Sequence, residues 1–198
     1  MSTIKSKKVQ LGTDANSSNN FTLYQPATPD GTLRIGVGNA DSPTEVGRFT
    51  SAGYKPATAP AFSAECLDNI SLPNATWVKV SYGSELFDTT NDYDATTNYR
   101  FTPSVEGYYF ITSRLEYNGH YSGDGILAIY KNGSAFNYIG FRSGTSGGVK
   151  AVGGTALIYL NGSTDYIEMY VYQNTGATRG TGTNGIINQF SGYLAQQV

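Results

Sequence analysis

The amino-acid sequence predicts an all-β fold made of short antiparallel strands. Its 198 residues include 24 glycines and 16 tyrosines, and only 14% of them are charged, which favours strands and turns over helices. No stretch shows sustained helical periodicity, whereas several runs alternate between apolar and polar residues, as half-buried strands do. A chain of this length can bury a sizeable core, and all-β domains of similar size are commonly single units.

The N-terminal segment, residues 1–54, contains an internal repeat. Residues 9–12 (VQLG) recur as residues 33–36 (LRIG), and each copy continues to a Phe-Thr pair; an offset of about 24 residues is typical of stacked repeats. Each copy has too few apolar residues to bury a core alone, so we expect copies from other chains to cover its apolar face. The segment is similar to the turn-and-strand shafts of phage tail and head fibres. The alternative is an extended, partly disordered arm.

A connector is predicted between this segment and the rest of the chain. Residues 55–61 combine Pro56 and Pro60 with small residues, a composition that is typical of a semi-rigid, extended linker. We therefore place the domain boundary near Pro60 and expect one body over residues 62–198.

The middle of the body, residues 87–111, is predicted to contain a loop, a short strand, a turn and a core strand. Pro103 cannot donate to a sheet ladder and Gly107 permits a backbone bend, so a turn at Pro103 connects two strands. After Gly107 the residues alternate, and Tyr109 therefore lies on the opposite face of the strand from Tyr108.

A β-hairpin is predicted at Asn132-Gly133, because both residues can adopt the positive φ that a two-residue hairpin turn requires. Other alternating runs bring the body to about ten short antiparallel strands, which indicates a β-sandwich or jelly roll. The runs that we interpret as strands are residues 62–64, 77–82, 107–116, 126–130, 135–141, 155–160, 166–172 and 190–194.

A series of motifs in the body follows the order found in a known family. The motifs are Phe62, 87–88 (FD), 93–94 (YD), 101–103 (FTP), Gly107, Tyr109, Phe110, 131–133 (KNG), 155–165 and 190–194 (FSGYL). With them the body resembles the globular head of the complement-q subunit, in the tumour-necrosis-factor-like superfamily. The resemblance covers residues 60–198 and implies a ten-stranded jelly roll that assembles as a compact trimer. The sequence departs from the family pattern in two ways: Ser163-Thr164-Asp165 stands where the family usually has Gly-Asp, and no collagen-like stalk precedes the domain. The missing stalk suits a bacterial or phage relative.

Charge and cysteine content narrow the classes of partner. The net charge of −2 gives no general electrostatic case for binding nucleic acid or an anionic membrane. No apolar run approaches the ~20 residues that a membrane helix needs, and residues 9–14 are too polar for the hydrophobic region of a signal peptide. Cys66 is the only cysteine, which excludes an intrachain disulfide and fits synthesis in a reducing cytosol.

The sequence offers no recognisable catalytic or zinc constellation. His120 is the single histidine, so any Ser/His/Asp triad must include it, and no nucleophile elbow is present. Zinc needs three or four nitrogen or sulfur ligands, and the one histidine and one cysteine of the chain are too few to supply them. We expect no enzymatic activity and no cofactor. Asp88, Asp92 and Asp94 are the candidates for calcium, although we favour turn-stabilising hydrogen bonds for these carboxylates.

Three predicted loops supply candidates for ligand binding. Residues 144–154 and 176–185 are rich in glycine but lack the signature of a phosphate-binding loop, and we interpret them as exposed loops of the kind that carry binding surfaces. Residues 118–125 form a further predicted loop. The ligand-binding candidates in or next to these loops are His120, Tyr121, Asp124, Arg142 and Arg179.

Several aromatic residues project from the strand faces opposite to the Ile, Met and Val positions. We interpret them as trimer contacts, since obligate interfaces use aromatic surface in this way. The alternative is stacking on sugars, because tyrosine combines an apolar ring face with a hydroxyl group. The interface candidates are Tyr108, Phe110, Tyr166, Tyr170 and Tyr172.

The sequence therefore predicts a trimeric fibre or adhesin protein of a phage virion, made in the host cytoplasm. Its three heads are expected to bind a host-surface glycan or protein multivalently, and its N-terminal arm to contact other virion proteins. The alternative location is a bacterial surface. The alternative functions are a capsid or tail decoration with a purely structural head, and a polysaccharide-cleaving spike.

Overall fold

The structure is a computed structural model, which describes residues 8–12, 14–16, 19–39, 41–57, 59–120, 122–144 and 149–198. The side chains of residues 119, 120, 149 and 150 are not described. The chain forms two compact units, Met1–Ala59 and Pro60–Val198. Within the described ranges no helix is long and apolar enough to cross a bilayer.

The first unit is a single antiparallel sheet in which each strand pairs with the next along the chain. Its strands are β1 (Lys8–Leu11), β2 (Phe21–Tyr24), β3 (Leu33–Val37), β4 (Thr44–Thr50) and β5 (Gly53–Pro56). The connector expected over residues 55–61 is shorter than predicted, because Lys55 and Pro56 pair with β4. Pro56 fits this position because β5 is an edge strand, where one unpaired ladder position is tolerated.

The second unit, the head, contains every other strand of the described chain. They are β6 (Ala61–Glu65), β7 (Ser71–Leu72), β8 (Thr76–Lys79), β9 (Ser84–Asp88), β10 (Tyr93–Asp94), β11 (Arg100–Phe101), β12 (Glu106–His120), β13 (Gly123–Lys131), β14 (Ser134–Gly144), β15 (Val149–Asn161), β16 (Ile167–Gln173), β17 (Arg179–Gly180) and β18 (Gln189–Gln197).

Two antiparallel sheets form the head. One has the order β15-β12-β18-β6-β9, and the other has the order β10-β11-β16-β13-β14 with β8 also paired to β16. The described part of the head has more strand segments than the ten expected, because β8 and β11 share one edge of β16 and because β7 and β17 form a separate two-residue ladder. The layered arrangement is the predicted all-β sandwich.

The hairpin prediction is confirmed. Asn132 and Gly133 have φ values of 53° and 77°, and Lys131 pairs with Ser134 across the turn. Both central residues therefore have the positive φ that matches the right-handed twist of the flanking strands.

Three predicted loops are wrong in part, because backbone pairing prevails over loop-like composition. Residues 176–185 include β17. β12 continues to His120, which pairs with Val149 after a bulge, and residues 149–154 belong to β15 rather than to a loop. Glycines are required in β15 by close approach: a Cβ atom on Gly154 would lie 1.8 Å from the carbonyl oxygen of Ile139 in the facing strand β14.

The core of the head is aromatic. The ring of Phe62 stacks on Phe101 at 4.4 Å and on Tyr93 at 4.9 Å between centroids, and Phe190 meets Phe62 edge-on at 4.9 Å. The Tyr93 hydroxyl donates to the carbonyl of Tyr82 at 2.8 Å, which satisfies a polar group that burial would otherwise penalise. These buried rings come from motifs that carry the family resemblance, so those motifs encode the core.

Candidate functional site

The first candidate surface is the outer face of the five-stranded sheet of the head, which we call the β12 face. In the register of β12 with β15 and β18, Tyr108 lies beside Tyr159, and Phe110 lies between Leu157 and Tyr193. The rings of Tyr108 and Tyr159 meet at 5.7 Å, and those of Phe110 and Tyr193 at 5.5 Å. Leu157 is 61% exposed. These five side chains form a continuous apolar and aromatic patch on the surface of the single chain.

The Tyr159 hydroxyl donates a hydrogen bond to Oε1 of Glu106, and this bond raises the pKa of the Tyr159 hydroxyl above its usual value. The side-chain amine of Lys131 donates to the Tyr159 carbonyl at 2.8 Å and lies 2.8 Å from Asp165 Oδ2. The rim of the β12 face is therefore polar, which is the arrangement found around protein–protein contacts.

The second candidate surface is the outer face of the other sheet of the head, which we call the β16 face. Trp77 stacks on Tyr138 at 5.4 Å and tilts against Tyr172 at 5.3 Å. Tyr130 stacks on Tyr170 at 3.9 Å. Tyr138 is 59% exposed, so the cluster presents ring surface to solvent.

One ion pair anchors the β16 face. Lys79 Nζ lies 2.5 Å from Glu168 Oε1, and Glu168 is buried. A buried carboxylate needs such a partner, because an unpaired charge removed from water is costly. The pair thus joins β8 to β16 on the same face as the aromatic cluster.

The five predicted interface residues do not form one patch. Tyr108 and Phe110 lie on the β12 face, and Tyr170 and Tyr172 lie on the β16 face. Tyr166 precedes β16, and the guanidinium carbon of Arg100 lies 4.3 Å from the centre of its ring. The alternation within each strand was predictable, but the assignment of the strands to two sheets was not, and the five residues remain interface candidates on separate surfaces.

Two of the predicted ligand-binding residues lie in neighbouring strands, near the ends of β13 and β14, and their side chains point to opposite faces of the sheet. Asp124 pairs with Ser143, and Arg142 pairs with the adjacent Gly125. Asn174 holds Asp124 in place, since its Nδ2 donates to Asp124 Oδ2 at 2.9 Å and its Oδ1 accepts from the Asp124 N–H at 2.5 Å.

The other three candidates do not add side chains to this pair in the described structure. Nε of Arg179 donates to Thr175 Oγ1 at 2.8 Å, which ties Arg179 to its own loop. The backbone of His120 ends β12, but its side chain and the whole of Tyr121 lie outside the described residues. His120 was predicted in a loop, and its strand backbone corrects that prediction.

Arg142 also lines a cavity of about 360 Å³ beside Arg114, Val152 and Gly153. Sequence reasoning missed Arg114, since alternation along β12 shows only that it points away from the core. The sequence signal that points to this cavity is the set of glycines in β14 and β15. They let the two strands approach closely, which brings Arg142 to the cavity that Arg114 also lines.

The acidic loop stabilises its own turns. Asp88 accepts hydrogen bonds from the N–H groups of Thr90 at 3.0 Å and Tyr93 at 2.6 Å. Asp94 accepts from the N–H groups of Thr97 and Thr96, and these bonds hold the pKa of Asp94 below its usual range.

The third carboxylate of this loop, Asp92, has the same kind of role. Asp92 accepts from Thr90 Oγ1 at 2.6 Å and from Ser104 Oγ at 3.1 Å. In the described parts of the chain, no group of three or more His, Cys, Asp or Glu side chains could hold a metal ion. The geometry supports the turn-stabilising interpretation of the three aspartates over the calcium interpretation.

Comparison with known proteins identifies the fold of the head. No protein-family model matches the sequence, and no curated protein sequence matches it. The crystal structure of murine APRIL at pH 5.0 superposes with a TM-score of 0.53 at 11% identity, over 69% of this chain and 99% of that chain. The head therefore shares its jelly-roll fold with that structure, which is the fold that the sequence resemblance implied.

Two further solved structures are similar. The globular domain of zebrafish complement 1qA protein matches with a TM-score of 0.47 at 17% identity, over 70% of this chain and 99% of that chain. The Eiger TNF of S. frugiperda matches with a TM-score of 0.49 at 10% identity, over 73% of this chain and 96% of that chain. At such identities the likeness concerns the fold, and function must be argued from the surfaces.

Proposed function

We propose that this protein is a non-enzymatic, trimeric fibre or adhesin protein of a phage virion, in which the head trimerises and attaches to the host surface. The observation that carries the proposal is the β12 face. A contiguous exposed patch of large apolar side chains is typical of an interaction site rather than of a solvated surface. Aromatic residues at the centre with polar residues at the rim are the anatomy of a stable protein–protein contact.

Trimerisation through the β12 face leaves the β16 face for attachment. Its Trp77 and Tyr138 rings offer the flat apolar surface on which sugars stack, and a host glycan is the ligand class that suits it. Three weak sites held together gain avidity without any new contact. The N-terminal arm would then connect the heads to other proteins of the virion.

The trimer is tested by placing a charge in the middle of the β12 face. Leu157→Lys is expected to leave the head folded, since the side chain is exposed in the single chain, but to convert trimers to monomers because three lysines would be brought together and desolvated. Size-exclusion chromatography with light scattering measures the mass. The matched control is Ile186→Lys, at an apolar side chain that is 83% exposed in a loop.

A trimer that is unchanged by Leu157→Lys contradicts the proposed interface. Attachment is tested separately by incubating the trimer with immobilised glycans and with host cells. We expect retention that is lost in Trp77→Ala. A folded trimer that is retained on neither surface would favour the purely structural decoration role over attachment.

A further inference from the structure

The N-terminal sheet has no hydrophobic interior of its own. In the described chain, every buried apolar side chain lies between Phe62 and Phe190, outside the first unit. A β-sheet must cover at least one apolar face to be stable, and two packed layers are the least that achieves this. Strands β1 to β5 supply one layer only.

One face of this sheet is apolar across all five strands. The strand register places ten apolar side chains on this face. They are Val9, Leu11, Phe21, Leu23, Leu33, Ile35, Val37, Phe49, Tyr54 and Pro56. Six of these side chains, Val9, Leu11, Phe21, Leu33, Phe49 and Tyr54, are between 43% and 56% exposed. The apolar positions of both sequence repeats thus project from one side.

The opposite face carries the charges. Arg34 lies 2.6 Å from Asp30 and 3.2 Å from Glu45, and Arg48 lies 2.6 Å from Glu45. Hydrogen bonds from Thr32 and Arg34 lower the pKa of Asp30 to about 2. The charges on this face are paired with one another, so the sheet is segregated into an apolar side and a charged side.

The apolar face is large enough to form an interface. A large apolar side chain carries roughly 150–200 Å² of surface, so six that are about half exposed leave on the order of 500 Å² open to solvent. That is at the upper range for a patch on a monomeric protein, about 300–600 Å². It also approaches the roughly 800 Å² that each partner buries in a stable complex.

The occupant that suits this face is the same face of another copy. The apolar face contains no charged side chain, so identical faces can meet without repulsion or buried unpaired charge. If the heads trimerise, the trimer holds three such sheets at an effective concentration of about millimolar, and their association becomes intramolecular within the trimer. This step rests on the proposed function.

We propose that the apolar faces of three N-terminal sheets pack against one another and together form the hydrophobic interior that each single sheet lacks. The protein then has two trimerisation regions, the head and an N-terminal shaft. The shaft folds stably only in the assembled trimer, whereas the head has its own core.

The test compares neighbouring positions on opposite faces of one strand. Leu11→Lys changes the apolar face of β1, and Gln10→Lys changes the charged face one residue away; both positions are exposed in the single chain. A second test variant, Leu33→Lys, changes the central strand β3. The readout is hydrogen–deuterium exchange of backbone amides in residues 8–57 of the full chain, with the mass measured on the same samples.

We expect protected amides in the wild type and in Gln10→Lys, and exchange at least tenfold faster in Leu11→Lys and Leu33→Lys while the head stays trimeric. A trimer in which wild-type residues 8–57 exchange freely, or in which the lysine variants exchange like the wild type, overturns the shaft alone. A monomeric wild type overturns the proposed function and, with it, the three-chain shaft.

Discussion

The head and the N-terminal sheet are both antiparallel and both alternate apolar with polar residues, yet they use that pattern differently. In the head, two sheets cover each other, and Phe62, Phe101 and Phe190 are buried. In the N-terminal unit, Phe21 and Phe49 occupy the apolar face of the sheet in the same way, but their side chains are about half exposed. The same periodicity therefore produces a core where the chain supplies two layers and an interface where it supplies one.

The largest expected effect concerns the internal core of the head. Phe62→Ala should destabilise the head by about 3–5 kcal/mol, because it removes a fully buried ring and leaves a cavity among three other rings. Chemical denaturation followed by tryptophan fluorescence at Trp77 measures the loss. The matched control, Leu67→Ala, changes an exposed side chain and should stay within about 0.5 kcal/mol. A cost below that of the control would show that the head, too, depends on assembly.

A smaller effect is expected from the ion pair between Lys79 and Glu168 on the β16 face. Lys79→Met leaves the buried Glu168 carboxylate without its partner and should cost about 1–3 kcal/mol. The double variant Lys79→Met, Glu168→Leu should recover most of that loss, because no charge is then stranded. Denaturation midpoints of the two variants provide the comparison; equal midpoints would mean that the carboxylate is already solvated.

The hairpin turn gives a local contribution of about 1 kcal/mol. Gly133 has a φ of 77°, and an added Cβ would meet only the Tyr166 hydroxyl, at an ordinary contact distance of 3.4 Å, so Gly133→Ala should lower stability mainly through backbone strain. Gly83→Ala is the control, since an added Cβ there makes ordinary contacts at 3.5 Å without positive φ. Thermal melting of both variants is the measurement. A loss in Gly83→Ala that matches the loss in Gly133→Ala would rule out strain as the cause.

The smallest effect is a pH dependence from Asp94. Its pKa is lowered by hydrogen bonds from the N–H groups of Thr97 and Thr96, so the carboxylate adds stability above the unfolded-state pKa of about 4 and loses it as the pH falls towards the folded-state value. The melting temperature of the wild type should exceed that of Asp94→Asn at pH 7, and the difference should shrink below about pH 4. A difference that is constant down to pH 2 would exclude this linkage.

Features of the fold and of the candidate surfaces were predictable where residues close in sequence determine them. The Asn132-Gly133 turn and the inward position of Tyr109 follow from local backbone chemistry, and the ordered motifs gave the fold of the head by resemblance. The separation of Tyr108 from Tyr170 and the strand backbone of His120 depend on which strands pair, which one strand's pattern does not contain. The placement of Arg114 and Arg142 at one cavity depends in addition on how closely the two sheets approach each other.

The repeat in the N-terminal unit was informative in a different way. It predicted apolar positions without a core, and the register of β1 to β5 places them on one face. No pattern in a single chain specifies how many copies cover that face. The resemblance of the head supplied the number three, and the N-terminal faces are interpreted through it.

The most direct test of the account is the mass of the intact chain in solution. Native mass spectrometry across protein concentrations from about 0.1 to 10 μM, a range in which an interface of standard size remains associated, should give a particle three times the mass of the 21.2 kDa chain. A monomer throughout this range would contradict both the β12 interface and the N-terminal shaft.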